Sequence, residues 1–241
     1  MAIYTSKTRI DLEDVGYSNK ITNKAILKIL ENAGARQSET IHFGLNDMEN
    51  VGFSWILLGW KVKILKRPIY NEELTINTWG RDSNRIFTYR DYEIYDESGE
   101  LCAIATSKWA IVDINTGKLR ELTPEIIEKY QCETKKVFKE DYTLKLKEPA
   151  TIIRKQEYKA QRRDIDINKH IHNLYYLDYA YEVLPEEVYE APECNNIEIM
   201  YKKQIRLNDE FKCLYTKEEN QNIVTMKSED ETTLHAIIKL Y

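Results

Sequence analysis

The feature that most constrains the fold is an internal repeat, which divides the 241-residue chain into two similar halves. The segment from Tyr4 to Asp11 resembles the segment from Tyr158 to Asp166, and each leads into a helical pattern. A predicted turn at Asn71 parallels another at Asn208. Each half therefore predicts one strand, one helix and then about four long strands joined by tight turns.

The apolar patterns predict two helices of similar length, one in each half. The first begins near Thr22 and ends at Gly34, and the second runs from Ile171 to Pro185. An antiparallel sheet around an apolar helix buries a face of each, so the predicted fold class is α+β. The predicted long strands are Trp60–Lys66, Leu74–Gly80, Ile86–Tyr95, Leu101–Val112, Ile197–Ile205, Phe211–Thr216, Ile223–Ser228 and Thr233–Tyr241. We predict an N-terminal domain at 1–134, a charged linker at 135–149 and a C-terminal domain at 150–241, with a short helix starting at Thr123.

Composition excludes several classes of protein. The net charge of −5 argues against a general nucleic-acid binder. No apolar run reaches the roughly 18 residues that suggest a membrane span, and the first residues lack the apolar stretch of a signal peptide. The four cysteines are scattered without metal-like spacing, so we expect reduced thiols in a cytoplasm, and no metal or cofactor.

One short run carries the chemistry. Asp166, Asn168 and His170 place a carboxylate, an amide and an imidazole two residues apart, directly before the second predicted helix. The unpaired N–H groups of a helix start attract negative charge. Each of these residues alone has an ordinary structural explanation, such as a helix cap. Together they predict a site that hydrolyses an activated acyl bond.

Residues 164–176, Asp-Ile-Asp-Ile-Asn-Lys-His-Ile-His-Asn-Leu-Tyr-Tyr, resemble a known family signature, Asp-x-Asp-x-Asn-x-His-x-Asn-Asn-x-x-Tyr. It is that of the acyl-acyl carrier protein (acyl-ACP) thioesterases, which include plant plastid enzymes and bacterial relatives. The runs Trp55–Ile69, Leu74–Trp79 and Ser107–Trp109 resemble the family's long-strand region. The resemblance implies a tandem (double) hot-dog fold, with two antiparallel sheets each wrapped around a central helix. It also implies hydrolysis of fatty acyl-ACP, which releases free fatty acid and terminates fatty acid synthesis.

The resemblance assigns catalytic positions to Asp166, Asn168 and His170, and a fourth to Gln204 on the strand after the helix. The family has glutamate and cysteine where this chain has Gln204 and Ile205, so a thiol nucleophile is impossible there. We therefore expect water to be the nucleophile. Either His170 or Asp166 could activate it; our preferred scheme gives His170 the water and Asp166 the orienting part, while Asn168 aligns the reactants and Gln204 adds a neutral hydrogen bond.

Other residues receive supporting roles. We expect the oxyanion to meet backbone N–H groups near His172 and Asn173. The first half is expected to be non-catalytic, because its counterpart run Asp11–Val15 lacks Asn and His at matching spacing. Its helix has two readings, a wall of the acyl tunnel or ordinary core packing, for Ala25, Ile26, Ile29 and Leu30. His42 and His235 are interpreted as structural.

The expected partner is the acidic acyl carrier protein, docked on local basic residues. The candidates are Lys202 with Lys203, Arg162 with Arg163, and Lys135 with Lys136. Pairing of two copies into a homodimer stays open. Two alternatives also stay open: an acyl-CoA thioesterase that uses the same site, and an acyl-binding regulator without turnover.

Overall fold

A computed structural model describes residues 3–140, 145–189 and 194–241 of the chain. It divides into two compact units, Met1–Tyr142 and Thr143–Tyr241. None of the helices in these described ranges is long and apolar enough to cross a membrane.

The first unit follows the predicted order of one strand, one long helix and then long strands. Its elements are β1 (Tyr4–Arg9), α1 (Asn23–Thr40), α2 (Met48–Val51), β2 (Phe53–Ile64), β3 (Glu73–Ser83), β4 (Thr88–Tyr95), β5 (Leu101–Asp113), β6 (Leu119–Arg120) and α3 (Pro124–Tyr130). The sheet order is β1-β3-β4-β5-β2, with β6 paired to β5, and neighbouring strands are antiparallel. The short helix predicted at Thr123 is confirmed, because Thr123 caps α3 through its hydroxyl.

Helix α1 contacts β1 and β3 and buries one of its sides. Its start is confirmed, since the Thr22 hydroxyl accepts the N–H of Ala25 at 3.1 Å. Its predicted end at Gly34 is wrong, because α1 continues for six more residues to Thr40. A β-carbon at Gly34 would lie 2.9 Å from the Tyr92 hydroxyl and 3.2 Å from Cδ of Arg90. The glycine therefore admits side chains of β4 close to the helix; it does not stop the helix.

The second unit repeats the topology of the first with a shorter main helix and three shorter strands. Its elements are β7 (Arg154–Lys159), α4 (Tyr175–Val183), α5 (Glu186–Tyr189), β8 (Asn196–Tyr201), β9 (Glu210–Glu218), β10 (Gln221–Ser228) and β11 (Leu234–Leu240). The antiparallel order is β7-β9-β10-β11-β8, which matches that of the first unit strand for strand.

Two boundaries in the second unit differ from the prediction by four residues, and the others differ by less. Helix α4 has 9 residues against 18 in α1, and it begins at Tyr175 rather than Ile171. The leading residues are diverted because Nδ1 of His172 accepts the N–H of Leu174 at 3.3 Å. Strand β8 ends at Tyr201, four residues before the predicted end at Ile205.

Strand registers correct the alignment of the two halves. Arg9 pairs with Glu73 in the first unit, and Lys159 pairs with Glu210 in the second, so Arg9 corresponds to Lys159. Asp166 therefore corresponds to Gly16, and the sequence-based match of Asp166 with Asp11 is wrong.

The predicted linker at 135–149 falls partly on residues 141–144, which lie outside the described residues. Its first part is bonded into the first unit. The carbonyl of Lys135 accepts the indole N–H of Trp79 at 3.0 Å, and the N–H of Val137 donates to Asp91 at 3.0 Å. Near its other end, Glu148 pairs with Lys227 of the second unit at 2.9 Å.

Candidate active site

Residues 165–171, the motif turn, form a tight backbone turn between β7 and α4. The N–H of Lys169 donates to the carbonyl of Asp166 at 3.0 Å, and the N–H of Asp166 donates to the carbonyl of His170 at 2.9 Å. Lys169 has φ of 64°, and this left-handed residue closes the turn. Ile165 and Ile171 then pair as an antiparallel bridge. The turn geometry thus brings the motif's side chains together.

The carboxylate of Asp166 is fixed by the turn. Its Oδ1 accepts the backbone N–H of Asn168 at 2.8 Å, and its Oδ2 lies 3.4 Å from the Asn168 side-chain nitrogen. Such a bond from a side chain to the backbone two residues on is an Asx turn. Only 12% of the Asp166 side chain is exposed, whereas Asn168 is exposed. The carboxylate is held in place while the amide stays reachable from solvent.

The imidazole of His170 completes the cluster. Its Nδ1 lies 3.8 Å from Oδ1 of Asp166 and 3.3 Å from the carbonyl of Ile171, and 22% of the side chain is exposed. A carbonyl only accepts hydrogen bonds, so Nδ1 carries the proton in this arrangement. The second ring nitrogen, Nε2, is then the basic atom. The turn thus brings the Asp166 carboxylate near the imidazole of His170 and near the amide of Asn168, which is exposed to solvent. The catalytic roles of the three residues stay a prediction.

Residues 202–206, the facing loop, run beside the motif turn. The carbonyl of Ile205 accepts the N–H of Ile171 at 2.8 Å, and His170 forms a bridge with Arg206. Gln204 lies in this loop and not on a strand, because β8 has already ended. Its side chain is exposed and makes no hydrogen bond to any residue within the described ranges. Gln204 is thus near the motif turn with an uncommitted amide.

The predicted oxyanion donors differ from each other. The N–H of His172 donates to the carbonyl of Asp164 at 2.9 Å, so it is not available to an oxyanion, and this part of the prediction is corrected. The N–H of Asn173 has no partner among the described residues. The carbonyl of Asn173 accepts the hydroxyl of Tyr201 at 3.0 Å, which fixes the peptide plane nearby. Asn173 is the better-placed donor.

Several buried groups support the site and were not assigned roles from the sequence. Asp164 accepts the Tyr179 hydroxyl at 2.6 Å and the N–H of Gln161 at 2.7 Å. Burial raises the pKa of the Tyr176 phenol above its ordinary value, and its hydroxyl lies near the backbone of Ile205. Tyr176 is the last residue of the signature, so its position in the motif was a usable signal. No three His, Cys, Asp or Glu side chains in the described ranges cluster as metal ligands.

The remaining predicted site residues lie elsewhere. Four side chains of α1 are buried in the first unit, and their contact with an acyl chain stays a prediction: Ala25, Ile26, Ile29 and Leu30. Lys202, Lys203, Arg162 and Arg163 are exposed as a docking surface requires. Lys135 instead pairs with Glu93 at 2.7 Å and lies over the ring of Trp79, so it is already engaged.

The first unit contains the same turn without the chemistry. In residues 15–21, the counterpart turn, the N–H of Gly16 donates to the carbonyl of Lys20 at 3.0 Å, and Asn19 has φ of 60°. Gly16, Ser18 and Lys20 stand where the second unit has Asp166, Asn168 and His170. These residues supply neither the carboxylate nor the imidazole.

Two units in tandem along one chain, each with antiparallel strands and its own helix, define a double hot-dog protein. Two family models match the chain: the acyl-ACP thioesterase N-terminal domain over residues 1–130, and the acyl-ACP thioesterase C-terminal domain over residues 147–239. The chain belongs to the acyl-ACP thioesterase family.

Relatives and solved structures agree with this assignment. The chain is 25% identical to oleoyl-acyl carrier protein thioesterase 2, chloroplastic, of Arabidopsis thaliana, over 92% of this chain and 65% of that protein. It is also 25% identical to the oleoyl-acyl carrier protein thioesterase, chloroplastic, of Coriandrum sativum, over 93% of this chain and 65% of that protein. The chain thus spans about 65% of the length of these relatives. A Bacteroides thetaiotaomicron acyl-ACP thioesterase superimposes with a TM-score of 0.87 at 22% identity, covering 99% of this chain and 97% of that chain. The 12:0-ACP thioesterase of Umbellularia californica superimposes with a TM-score of 0.87 at 16% identity, covering 100% of this chain and 96% of that chain. At these identities the structures support the fold.

Proposed function

We propose that this protein hydrolyses the thioester of fatty acyl-[acyl carrier protein], releasing free fatty acid and terminating fatty acid synthesis. The observation that carries the proposal is the cluster of Asp166, Asn168 and His170 on the motif turn, in a chain of this family. A cytoplasmic location fits the four cysteines, none of which forms a disulfide in the described ranges. Assembly into a homodimer stays a prediction.

The first step is activation of water by His170. Its Nδ1–H is directed to the carbonyl of Ile171, so Nε2 accepts a proton from water as the oxygen attacks the thioester carbonyl. Asp166, with its Oδ1 3.8 Å from Nδ1, stabilises the imidazolium that forms. The tetrahedral intermediate then expels the thiolate, which takes a proton from the imidazolium. No covalent acyl-enzyme is needed, in keeping with Ile205 at the family's cysteine position.

The oxyanion and the water need neutral hydrogen-bonding partners. The free N–H of Asn173 is the proposed oxyanion donor, and one such donor typically contributes about 3–4 kcal/mol of barrier lowering. The exposed amides of Asn168 and Gln204 align the water and the thioester carbonyl. A glutamine donates and accepts but carries no charge, so we assign Gln204 a positioning contact with substrate and no acid–base role.

Docking of the acidic carrier is assigned to a basic collar around the motif turn. Six exposed cations form it: Arg162, Arg163, Lys169, Lys202, Lys203 and Arg206. The counterpart positions in the first unit carry one positive and one negative charge in total: Leu12, Glu13, Asn19, Leu65, Lys66 and Ile69. A collar of one sign steers an acidic partner and mainly raises its association rate.

Separate Asp166→Asn and His170→Ala variants test the chemistry. We expect each to lower kcat on acyl-ACP by at least about 100-fold, since general acid–base groups typically contribute that much. Circular dichroism and thermal melting check that the variants fold. Full activity in either folded variant removes that residue from the scheme.

Reversal of Lys202 and Lys203 to Glu tests the docking surface and separates the carriers. We expect a rise of about tenfold in KM for acyl-ACP and a smaller rise for the acyl-CoA ester of the same chain length. The matched control reverses Lys145 and Lys147, which are exposed and outside the collar. Equal changes for both substrates would contradict carrier docking at this pair. Higher kcat/KM on acyl-CoA would favour the acyl-CoA thioesterase, and tight binding without turnover would favour the acyl-binding protein.

A further inference from the structure

The facing loop needs an anchor, because no regular strand holds it. It lies in the gap between the end of β8 at Tyr201 and the start of β9 at Glu210. Gln204 sits in its middle without a side-chain hydrogen bond to the described part of the chain. The position of this amide is therefore set by the peptide groups on either side of it.

The peptide after Gln204 is fixed from within the site. The carbonyl of Ile205 accepts the N–H of Ile171 at 2.8 Å, and the hydroxyl of Tyr176 lies near the backbone of Ile205. Both contacts lead back to the motif turn and α4. This ties one end of the loop to His170, the neighbour of Ile171.

The peptide before Gln204 is fixed by His235 of β11, which is only 6% exposed. The backbone carbonyl of His235 accepts the N–H of Lys202 at 2.8 Å, and its Nδ1 lies 2.8 Å from the carbonyl of Lys203. That carbonyl can only accept, so Nδ1 donates. Burial lowers the pKa of His235, which keeps the ring neutral with its proton on Nδ1.

The first unit anchors its corresponding loop through a different residue. Cys102 corresponds to His235, and its carbonyl accepts the N–H of Leu65 at 2.7 Å, but its thiol turns to the carbonyl of Glu100. Arg67, the counterpart of Gln204, clamps its own loop by donating to the carbonyl of Ile21 at 2.8 Å and to Asn23 at 2.6 Å. A residue that holds the loop in this way is not available to a substrate.

We propose that His235 is a positioning residue for hydrolysis: its imidazole clamps the carbonyl of Lys203 and so leaves the amide of Gln204 free to meet the substrate. The inference rests on the proposed function, because it gives Gln204 a contact with the thioester. In the second unit, His235 anchors the loop and Gln204 contacts the substrate. In the first unit, Arg67 stands at the position of Gln204 and anchors the loop itself.

Two substitutions of His235 test the clamp. His235→Cys installs the residue that the first unit carries at this position and removes the donor to Lys203. His235→Asn keeps a donor, because Nδ2 of asparagine lies close to the place of Nδ1 in histidine. We expect His235→Cys to lower kcat on acyl-ACP about tenfold with little change in KM, as misplaced groups do, and His235→Asn to recover most of the loss. Equal losses in both variants would overturn the proposal.

A double-mutant cycle with Gln204→Ala shows whether His235 acts through Gln204. We expect His235→Cys to cost less than about twofold in kcat once Gln204 is alanine, because coupled residues are not additive. A full tenfold loss in that background contradicts the inference. Hydrogen exchange at the N–H of Ile171 is a readout independent of turnover: it should speed up in His235→Cys and return in His235→Asn. If the wild type hydrolyses no thioester, the proposed function fails, while the exchange result still decides whether the clamp exists.

Discussion

The motif turn and its counterpart turn share one backbone and differ in what they carry. In both, a left-handed residue closes the turn, Lys169 in one and Asn19 in the other. In both, the isoleucine that ends the turn donates to a carbonyl of the loop beside it, at 2.8 Å from Ile171 and 3.0 Å from Ile21. The fold therefore supplies the scaffold twice. In the proposed mechanism, reactivity depends on three side chains that only the second turn has, those of Asp166, Asn168 and His170.

The interiors of the two units also differ, and here it is the first unit that carries the polar side chain. In the first unit, Asp91 on β4 is fully buried, and burial raises the pKa of its carboxyl. It accepts the N–H of Val137 at 3.0 Å and bonds Thr106. Its counterpart on β10, by strand pairing, is the apolar Ile223. At this position the first unit buries a carboxylate, whereas the second unit buries an apolar side chain.

Exchanging the third side chain between the two turns gives the largest expected effect. His170→Lys copies Lys20 and should lower kcat on acyl-ACP by about 1,000-fold, or about 4 kcal/mol, because an ammonium cannot act as the base. Lys20→His makes the reverse change in the first unit and should leave kcat within about twofold. The turn geometry of both variants should persist, since the backbone bonds do not involve these side chains.

Steady-state kinetics on one acyl-ACP measures both variants, and thermal melting checks their folding. Retention of more than a tenth of the wild-type kcat by His170→Lys would show that the imidazole is not the base. A comparable loss in Lys20→His would show that the counterpart turn has a part in turnover. The difference between the two turns would then not be the one described above.

Replacing the aspartate that precedes each turn, Asp164 or Asp14, compares how much each contributes to the unfolding free energy. Asp164 accepts two donors, and its loss leaves the Tyr179 hydroxyl and the Gln161 N–H unpaired, so we expect Asp164→Ala to cost about 2–3 kcal/mol of unfolding free energy. Asp14 accepts the N–H of Asp11 and pairs with Lys28 at 2.5 Å. Because Lys28 is a third exposed and can return to water, Asp14→Ala should cost about 1–2 kcal/mol. Urea denaturation measures both, and the reverse order would contradict this reasoning.

The sequence predicted what local patterns determine. The order of strands follows from turn residues and apolar alternation, and the cap at Thr22 follows from its hydroxyl before an apolar helix. Asp166, Asn168 and His170 stand at alternate positions, and a tight turn brings such residues near one another, although their catalytic roles stay a prediction. These features need no contact that is distant in the sequence.

The wrong or missing predictions depend on distant contacts. The role of Gly34 is set by Tyr92 and Arg90 of β4, and nothing beside it in the sequence distinguishes this role from a helix end. The apolar alternation through Ile205 is typical of a strand, but the carbonyl of Ile205 accepts the N–H of Ile171 in the motif turn instead. The hydrogen bond from His235 to the carbonyl of Lys203 was not predicted, because it joins residues 32 positions apart.

The close approach at Gly34 is a feature of the first unit, where α1 runs on past the length of α4. Gly34→Ala would place a β-carbon 2.9 Å from the Tyr92 hydroxyl, so we expect a loss of about 1–2 kcal/mol despite the better helix propensity of alanine. Tyr92→Phe removes that hydroxyl and should reduce the further cost of Gly34→Ala. A double-mutant cycle by urea denaturation measures this coupling. Additive effects would show that the helix shifts instead and that the contact does not limit it.

The smallest expected effect is on the pH dependence of the unfolding free energy, compared between His235 and its counterpart Cys102. Burial raises the pKa of Cys102 to about 11, so this thiol does not titrate near neutral pH. Burial lowers the pKa of His235 below that of an exposed histidine, so as the pH falls through about 6.5 the unfolded chain takes up a proton that the folded protein excludes. Stability therefore declines as the pH falls from about 7 toward the lowered pKa of His235. His235→Asn should make the unfolding free energy less dependent on pH in this window, whereas Cys102→Ala should leave the dependence unchanged. Urea denaturation at a series of pH values measures the slopes, and an equal slope in the wild type and His235→Asn would mean that His235 does not exclude the proton.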